Sequence, residues 1–247
     1  MSEPHWHDIA AWYDEVVRTG HTPHALAVHT TLELAGEVAG RRVLDVACGQ
    51  GIATRALARA GAASVVGLDI TSELLDAARS TEDREPLGIT YVHGDAQRMD
   101  EIDDESVDVA TCQLALMDIP DLDATLRAVA RVLVPGGVLA AVISHPCFLA
   151  PFAATGSTTE GEPARVVGRY LTEGFWRSPN PDGVRRVGHW SRTLSTYLNA
   201  FVAAGFALER FAEPRATGAY AEDQPVHREV PVLLGIRARR GAGSGAA

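Results

Sequence analysis

The chain has 247 residues, with 22 basic and 32 acidic side chains and a net charge of −10 when histidine is neutral. Every basic residue is arginine, so Schiff-base chemistry on lysine and a P-loop lysine are excluded. The acidic balance argues against a nucleic-acid partner, and no apolar run reaches the ~18–20 residues that a membrane span needs. Three widely spaced cysteines and a polar N-terminus predict a cytoplasmic protein with reduced thiols.

The predicted elements begin with two helical pieces in the first ~35 residues, separated by Gly20 and Pro23. Short apolar strands then alternate with helices, which predicts a doubly wound, mostly parallel α/β sheet. The strands are predicted at 43–47, 64–69, 89–92, 107–111 and 138–143, and the helices at 51–60, 71–79 and 122–133. A helix at 193–204 precedes two further strands, at 206–211 and 230–237, joined by a polar loop.

The turn after the first strand carries the main functional signal. Gly49 and Gly51 allow a tight turn and a close approach of the backbone to a ligand. Asp69 ends the second strand, 24 residues after Asp45, where a carboxylate is placed to accept hydrogen bonds from ribose hydroxyls. A dinucleotide fingerprint needs a third glycine where this chain has Thr54. These residues favour a cofactor with an adenosine and no phosphate, and an NAD(P)-dependent oxidoreductase on a Rossmann fold is the alternative.

These motifs resemble those of the class I S-adenosylmethionine-dependent methyltransferase family. Asp45–Gly51 is similar to the family's acidic-x-Gly-x-Gly-x-Gly motif, with Ala47 in place of the first glycine. Asp69 is similar to the ribose-binding acid, and Gly94-Asp95-Ala96 resembles the adenine-edge motif. Residues 133–137 resemble the turn before strand five, and the last two strands match the family's antiparallel ending, giving seven strands in all.

The resemblance implies S-adenosyl-L-methionine as cofactor, S-adenosyl-L-homocysteine as product, and a Rossmann-like methyltransferase fold. It implies one domain, divided into N-terminal helices (1–40), a cofactor-binding core (41–145), a lid and acceptor-pocket insertion (146–192), a C-terminal helix and strand pair (193–237), and a disordered tail (238–247). The residues that it assigns to the cofactor are Tyr13, Asp45, Ala47, Gly49, Gly51, Asp69, Ile70, Asp95, Ala96 and Leu114.

Methyl transfer is an in-line displacement that requires alignment of the acceptor and exclusion of water, and we expect no metal. His145 follows the fifth strand, at the edge of the sheet where ligands bind in such folds, and is the predicted general base or acceptor-orienting group. The alternative is a histidine that only satisfies a backbone group before Pro146.

The lid segment is rich in proline but holds 6 of the chain's 15 aromatic residues within positions 146–190, which indicates a packed segment rather than a linker. Aromatic walls suit a flat, apolar acceptor, and arginines in the lid either meet an anionic group on it or form a solvated rim. The predicted substrate-binding residues are Phe148, Tyr170, Phe175, Trp176, His189 and Trp190.

The segment after the fourth strand, 111–116, lacks the [Asp/Asn]-Pro-Pro-[Tyr/Phe] motif of enzymes that methylate amino groups of nucleic acids. Together with the acidic charge, this favours a small-molecule acceptor, aromatic or natural-product-like, methylated on O, N or C. A non-catalytic, cofactor-binding partner protein is the third possibility.

Overall fold

The computed structural model describes residues 5–149 and 151–242. Its helices are α1 (Trp6–Arg18), α2 (His24–Ala35), α3 (Ile52–Arg59), α4 (Ser72–Arg84), α5 (Leu122–Val132), α6 (Leu194–Ala203) and α7 (Gly218–Asp223). Its strands are β1 (Arg42–Val46), β2 (Ser64–Asp69), β3 (Thr90–His93), β4 (Val107–Gln113), β5 (Leu133–Ser144), β6 (Ala153–Ser157), β7 (Pro163–Val167), β8 (Gly174–Trp176), β9 (His189–Ser191), β10 (Phe206–Ala212) and β11 (Leu233–Arg240).

Seven strands form one sheet in the order β10-β11-β5-β4-β1-β2-β3. The five strands from β1 to β5 pair in parallel, whereas β11 pairs antiparallel with both β5 and β10. This arrangement confirms the predicted fold class, with its antiparallel C-terminal strand pair. The strand order reverses between β1 and β4, and ligands bind at such a switch point, beyond the carboxyl ends of the strands.

Helices cover both faces of the sheet, and each face has its own apolar core. One core joins α2, α3 and α4 to the sheet through Leu34, Leu57 and Leu75. The other joins α5 and α6 through Leu126 and Phe201. All five side chains are fully buried, because the central strands are apolar on both faces and need a helix layer on each.

The insertion at 146–192 is folded. It contains two antiparallel hairpins, β6 with β7 and β8 with β9, and a 3-10 helix at Val184–Val187. Its contacts with the rest of the chain include a hydrogen bond from the Trp190 backbone N–H to the Met117 carbonyl, 2.7 Å long, which ties the second hairpin to the segment after β4.

Three predictions of local structure are wrong. Ala238–Arg240 belong to β11, since β5 and β10 pair with this stretch, and only 243–247 of the predicted disordered tail lie outside the described residues. The last strand begins at Leu233 rather than at position 230, and the preceding polar loop contains α7. Positions 133–137, predicted as a turn, form the start of β5, where the pairing with β4 shifts register. Within the described chain, no helix is long and apolar enough to cross a membrane.

Candidate functional site

The turn between β1 and α3 owes its shape to backbone that lies in the left-handed region. Gly49 and Gly51 have φ of 54° and 82°, and Ala47 adopts a φ of 53° at the position of the family's first glycine. A Cβ on Gly51 would lie 2.3 Å from the Tyr91 hydroxyl oxygen, so this position requires glycine for space as well as for φ. The turn therefore packs closely on β3 beneath it.

Asp45 holds this turn in place from inside the sheet. One carboxylate oxygen accepts a hydrogen bond from the Thr54 hydroxyl at 2.6 Å, and the other accepts from Thr111 at 2.7 Å. Burial raises the pKa of Asp45 to about 6, although both hydroxyl donors act in the opposite direction. Thr54, which breaks the dinucleotide fingerprint, thus anchors α3 to the end of β1.

Asp69 organises the neighbouring turn at the end of β2. Its two carboxylate oxygens accept 2.8 Å hydrogen bonds from the backbone N–H groups of Gly49 and Thr71. Burial raises its pKa, while these backbone donors oppose the rise. Because each carboxylate oxygen can accept more than one hydrogen bond, Asp69 retains acceptor capacity for ligand hydroxyls.

A cavity, here called the cofactor cavity, opens between these turns at the carboxyl ends of β1, β2 and β4. The turn after β1, the turn after β2, the segment after β4 and the first two helices line it. Seven of the ten predicted cofactor residues are in its lining: Tyr13, Asp45, Ala47, Gly49, Asp69, Ile70 and Leu114. The fold therefore brings together residues from five separate parts of the chain.

Three predicted cofactor residues lie outside this lining. Gly51 caps α3 and packs on Tyr91 instead. Asp95 accepts hydrogen bonds from the backbone and side chain of Gln97, and Ala96 is buried beside it. The end of β3 is nevertheless tied to the end of β2 by a 3.0 Å hydrogen bond from the Gly94 N–H to the Asp69 carbonyl. The adenine role of Asp95 and Ala96 stays a prediction.

The donor set of the cavity fits S-adenosylmethionine. Gln50 is buried in the lining, and its side-chain Nε2 has no hydrogen-bond partner among the described residues, so a donor is available for a ligand carboxylate. Asp69 offers acceptors for ribose hydroxyls, and the exposed side chain of Ile70 offers an apolar surface for a base. These groups match the amino-acid, ribose and adenine parts of that cofactor.

The N-terminal helices cover the cavity with a cluster of three rings, of which only Tyr13 was predicted from the sequence. The Tyr13 hydroxyl lies 2.7 Å from Nε2 of His24, and the Trp6 ring packs edge-on against Tyr13. All three residues line the cavity. Burial, followed by the nearby Arg185 charge, lowers the pKa of His24 to about 4, so its ring is neutral at physiological pH. Trp6 and His24 were not predicted, because only the folded chain places them beside the turn after β1.

A second cavity, here called the lid cavity, lies between the insertion and the carboxyl end of β5. Trp176, His189 and Trp190 line it, as predicted for substrate-binding residues, together with Ser144 of β5. The other three predicted substrate residues lie elsewhere: Phe148 packs on His145, Phe175 is half exposed against Trp190, and the Tyr170 hydroxyl accepts a 2.7 Å hydrogen bond from the Leu194 N–H. Tyr170 thereby anchors the start of α6.

His145 does not line either cavity. Its Nε2 lies 2.8 Å from a Glu213 carboxylate oxygen, and its Nδ1 accepts a hydrogen bond from the Cys147 N–H at 3.2 Å. These two bonds define a neutral ring with the proton on Nε2. Burial lowers the pKa of His145, against the opposing effect of Glu213. The geometry contradicts the expectation that His145 points into the crevice. As in the alternative, the ring satisfies a backbone group, but this group is the Cys147 N–H, which follows Pro146 instead of preceding it.

The two cavities meet at an ion pair that sequence reasoning missed. Asp118 lines the cofactor cavity, Arg185 lines the lid cavity, and their side chains are 2.6 Å apart. Burial raises the pKa of Asp118 to about 6, while the Arg185 charge acts to lower it. The sequence signal for Asp118 was its place beyond β4, but its partner is 67 residues away in the lid.

Comparisons with known proteins agree with this geometry. A family model described as a methyltransferase domain matches residues 44–141. Ubiquinone biosynthesis O-methyltransferase of Aliivibrio fischeri is 37% identical over 117 residues, which are 47% of this chain and 50% of that protein. The Photorhabdus laumondii protein of the same name is 32% identical over 132 residues, 53% of each chain. The chain thus spans about half the length of these curated relatives.

A solved structure extends the similarity to most of the chain. The S-adenosylmethionine-dependent methyltransferase of Mesorhizobium loti is 30% identical, and the match covers 89% of this chain and 98% of that one with a TM-score of 0.72. The cofactor of the Mesorhizobium loti protein is the one that the cavity fits. The chain belongs to the class I S-adenosylmethionine-dependent methyltransferase family.

Proposed function

We propose that this protein transfers a methyl group from S-adenosylmethionine to an oxygen atom of an aromatic small molecule. The observation that carries the proposal is the junction of two cavities, one with groups for adenosine and one with aromatic walls, at the Asp118–Arg185 ion pair. The choice of oxygen draws on the curated relatives, which are named as O-methyltransferases. The acidic net charge of the chain argues against a nucleic-acid substrate.

The cofactor residues act by orientation. When bound, S-adenosylmethionine would supply a methyl group on a positively charged sulfur; an acceptor oxygen would bond to the methyl carbon in line with the sulfur, which leaves as a neutral thioether. Asp69 would hold the ribose, Ile70 the adenine, and Gln50 the carboxylate. The aromatic cluster of Trp6 and Tyr13 over the cavity would keep water from the reacting groups, which strengthens electrostatic interactions there.

Asp118 is the proposed proton acceptor for a hydroxyl on the acceptor molecule. Its Oδ1 accepts from Arg185, while Oδ2 makes no hydrogen bond within the described part of the chain. A carboxylate with a pKa of about 6 is ionised at neutral pH and close enough to it to take up a proton in the reaction. Arg185 would hold this carboxylate in one orientation. His145 is proposed instead as a structural residue that fixes the chain after β5.

Two other functions were open from the sequence. A nicotinamide-dependent reductase with the dinucleotide fingerprint would need a third glycine at position 54, where this chain has Thr54, whose hydroxyl binds Asp45. A non-catalytic binding protein would not need a second cavity beside the cofactor cavity. Thr54 therefore disfavours the reductase, and the paired cavities favour an enzyme over a non-catalytic binding protein.

A thermal-shift measurement followed by a transfer assay tests the proposal. We expect S-adenosylhomocysteine to raise the Tm and NAD(P)H to leave it unchanged. Transfer of a labelled methyl group is then measured with a panel of phenols, anilines and indoles, and product is expected with phenols. Stabilisation by NAD(P)H alone would support the reductase, and binding of S-adenosylhomocysteine without transfer to any acceptor would support the non-catalytic protein.

A further inference from the structure

We infer that the acceptor of this protein is an aromatic acid: a planar ring that carries a carboxylate. The inference rests on the proposed function, since it names the class of molecule that the lid cavity would present for methyl transfer. Three arginines and two tryptophan rings line this cavity, and together they match an anionic aromatic molecule.

The lid cavity is positively charged in a protein that is strongly negative overall. Arg165, Arg185 and Arg192 all line it, and no aspartate or glutamate is part of its lining among the described residues. The net charge of the whole chain is −10, so the concentration of arginine here runs against the general composition. Such a local field attracts an anion and repels a cation.

Two of these arginines carry charge that no carboxylate in the described chain neutralises by direct contact. Arg165 donates only to neutral oxygens, the Phe148 carbonyl at 3.0 and 3.2 Å and the Thr155 hydroxyl at 3.1 Å. Burial lowers the pKa of Arg165, which shows that its charge is partly removed from water. Arg192 donates to three carbonyl oxygens of the segment after β4, those of Leu116, Ile119 and Pro120.

Arg165 and Arg185 are suited to bind the anion, because each keeps unused N–H donors. The bonds named above occupy three of the five N–H groups of Arg165, and Arg185 uses one for Asp118 and one for the Ser144 hydroxyl. The planar guanidinium matches a carboxylate with two parallel hydrogen bonds. Arg192 also keeps two of its five N–H groups after its three bonds to carbonyl oxygens, and it adds a third positive charge to the cavity.

The remaining walls match a ring. Trp176 and Trp190 line the same cavity as the arginines, and aromatic faces stack on planar ligands. His189 is buried in the lining, and its Nδ1 has no hydrogen-bond partner within residues 5–149 and 151–242. The ring of His189 is neutral, because burial and the two nearby arginines lower its pKa to about 3. It therefore offers a polar contact without adding another positive charge.

A binding experiment with matched ligands tests this inference. The full-length protein, saturated with S-adenosylhomocysteine, is titrated with 4-hydroxybenzoate, its methyl ester, its amide and inorganic phosphate, and binding is followed by calorimetry. We expect the acid to bind at least about ten-fold more tightly than the ester or the amide, as for charge-assisted hydrogen bonds, and phosphate to bind more weakly than the acid. Equal or tighter binding of the ester or the amide would overturn the inference, and so would no binding of any of the four ligands. Phosphate binding as tight as that of the acid would overturn it too, because the site would then accept any anion without regard to the ring.

The variant Arg165→Gln tests whether the Arg165 guanidinium binds the carboxylate of the acceptor. We expect this variant to lose the preference for the acid and to keep its affinity for the ester, whereas Arg165→Lys keeps part of the preference. Arg84→Gln removes one arginine charge on the surface of α4, where the side chain contacts Ser80 and Thr81, and is the matched control. An unchanged ratio of acid to ester in Arg165→Gln would contradict the assignment. Circular dichroism of each variant checks that the lid is folded.

The outcome separates this inference from the proposed function. Methyl transfer to neutral phenols, with no preference for acids, would keep the function and overturn the substrate class. Selective binding of the acid without methyl transfer to it or to any phenol would keep the anion site and overturn the function.

Discussion

Replacement of Asp118 by asparagine tests the central feature of the site. Asparagine keeps the shape of the side chain and an oxygen that can accept from Arg185 at the present 2.6 Å position, but it removes the buried negative charge. The change therefore tests two properties of Asp118. Stability reports the cost of burying its charge, and kcat reports whether it accepts a proton during methyl transfer.

The expected effect on stability follows from the pKa. The pKa rises from 3.8 to about 6 in the folded chain. Below about pH 4 the carboxyl is protonated in both the folded and unfolded states, and above about pH 6 it is ionised in both. A difference of about 2 pKa units then corresponds to about 3 kcal/mol of unfolding free energy, lost as the pH rises through this range. Asp118→Asn removes this loss. The unfolding free energy of the variant, relative to that of the wild type, should therefore be about 3 kcal/mol higher at pH 7.5 than at pH 4.

Urea denaturation at pH 4 and at pH 7.5 measures this difference, and steady-state methyl transfer across pH 5–9 measures the chemical role. We expect kcat of the wild type to rise with pH through about 6 and then level, and kcat of the variant to be about 10²–10⁴-fold lower without this rise. Asp121→Asn is the control, because asparagine also caps a helix and Asp121 accepts from Ala124 at the start of α5.

Two results would refute this reasoning independently. A difference in unfolding free energy between the wild type and Asp118→Asn that is equal at the two pH values would show that the charge of Asp118 is not disfavoured by burial. A variant with kcat within a few-fold of the wild type, and with the same pH profile, would show that Asp118 does not accept the proton.

Three further predictions concern the cofactor turn and His145. Asp69→Asn weakens binding of S-adenosylhomocysteine by about 10–100-fold in calorimetry, since a ribose acceptor and a backbone acceptor are lost together. Gly51→Ala lowers the unfolding free energy by at least about 2 kcal/mol, and Tyr91→Phe recovers part of this, because the added Cβ would lie 2.3 Å from the hydroxyl that phenylalanine lacks. His145→Ala lowers stability by about 1–3 kcal/mol in urea denaturation and leaves kcat of the folded enzyme unchanged.

Each of these has a control and a contradicting result. For Asp69, the surface variant Asp83→Asn should bind as the wild type does, and equal affinities in both variants would remove the ribose role. For Gly51, strictly additive effects of the two substitutions would show that the clash with Tyr91 is not the cause. For His145, a loss of kcat with normal stability would contradict the structural role and restore the predicted role as a general base.

The sequence by itself determined the layered fold and the place in it of the turns that line the cofactor cavity. Alternation of short apolar strands with helices requires a sheet covered on both faces. Gly49 and Gly51 indicated a tight turn, and both lie in the left-handed region that favours glycine. Asp69 follows from the same local logic, because the carboxyl ends of neighbouring parallel strands meet at one edge of the sheet. These features depend on residues close together in the chain, where periodicity and backbone sterics act directly.

Only the tertiary structure decided which distant side chains meet and which way they point. Asp118 and Arg185 are 67 residues apart, and their ion pair exists because the folded lid returns to the segment after β4. His145 occupies the predicted strand end, yet its ring turns to Glu213, 68 residues away, and not to the cavity. Residues 238–240 were predicted as part of a disordered tail, but Ala238–Arg240 belong to β11 because β5 and β10 satisfy their backbone groups. Packing and hydrogen bonding between remote segments set these choices, and no local pattern in the sequence encodes them.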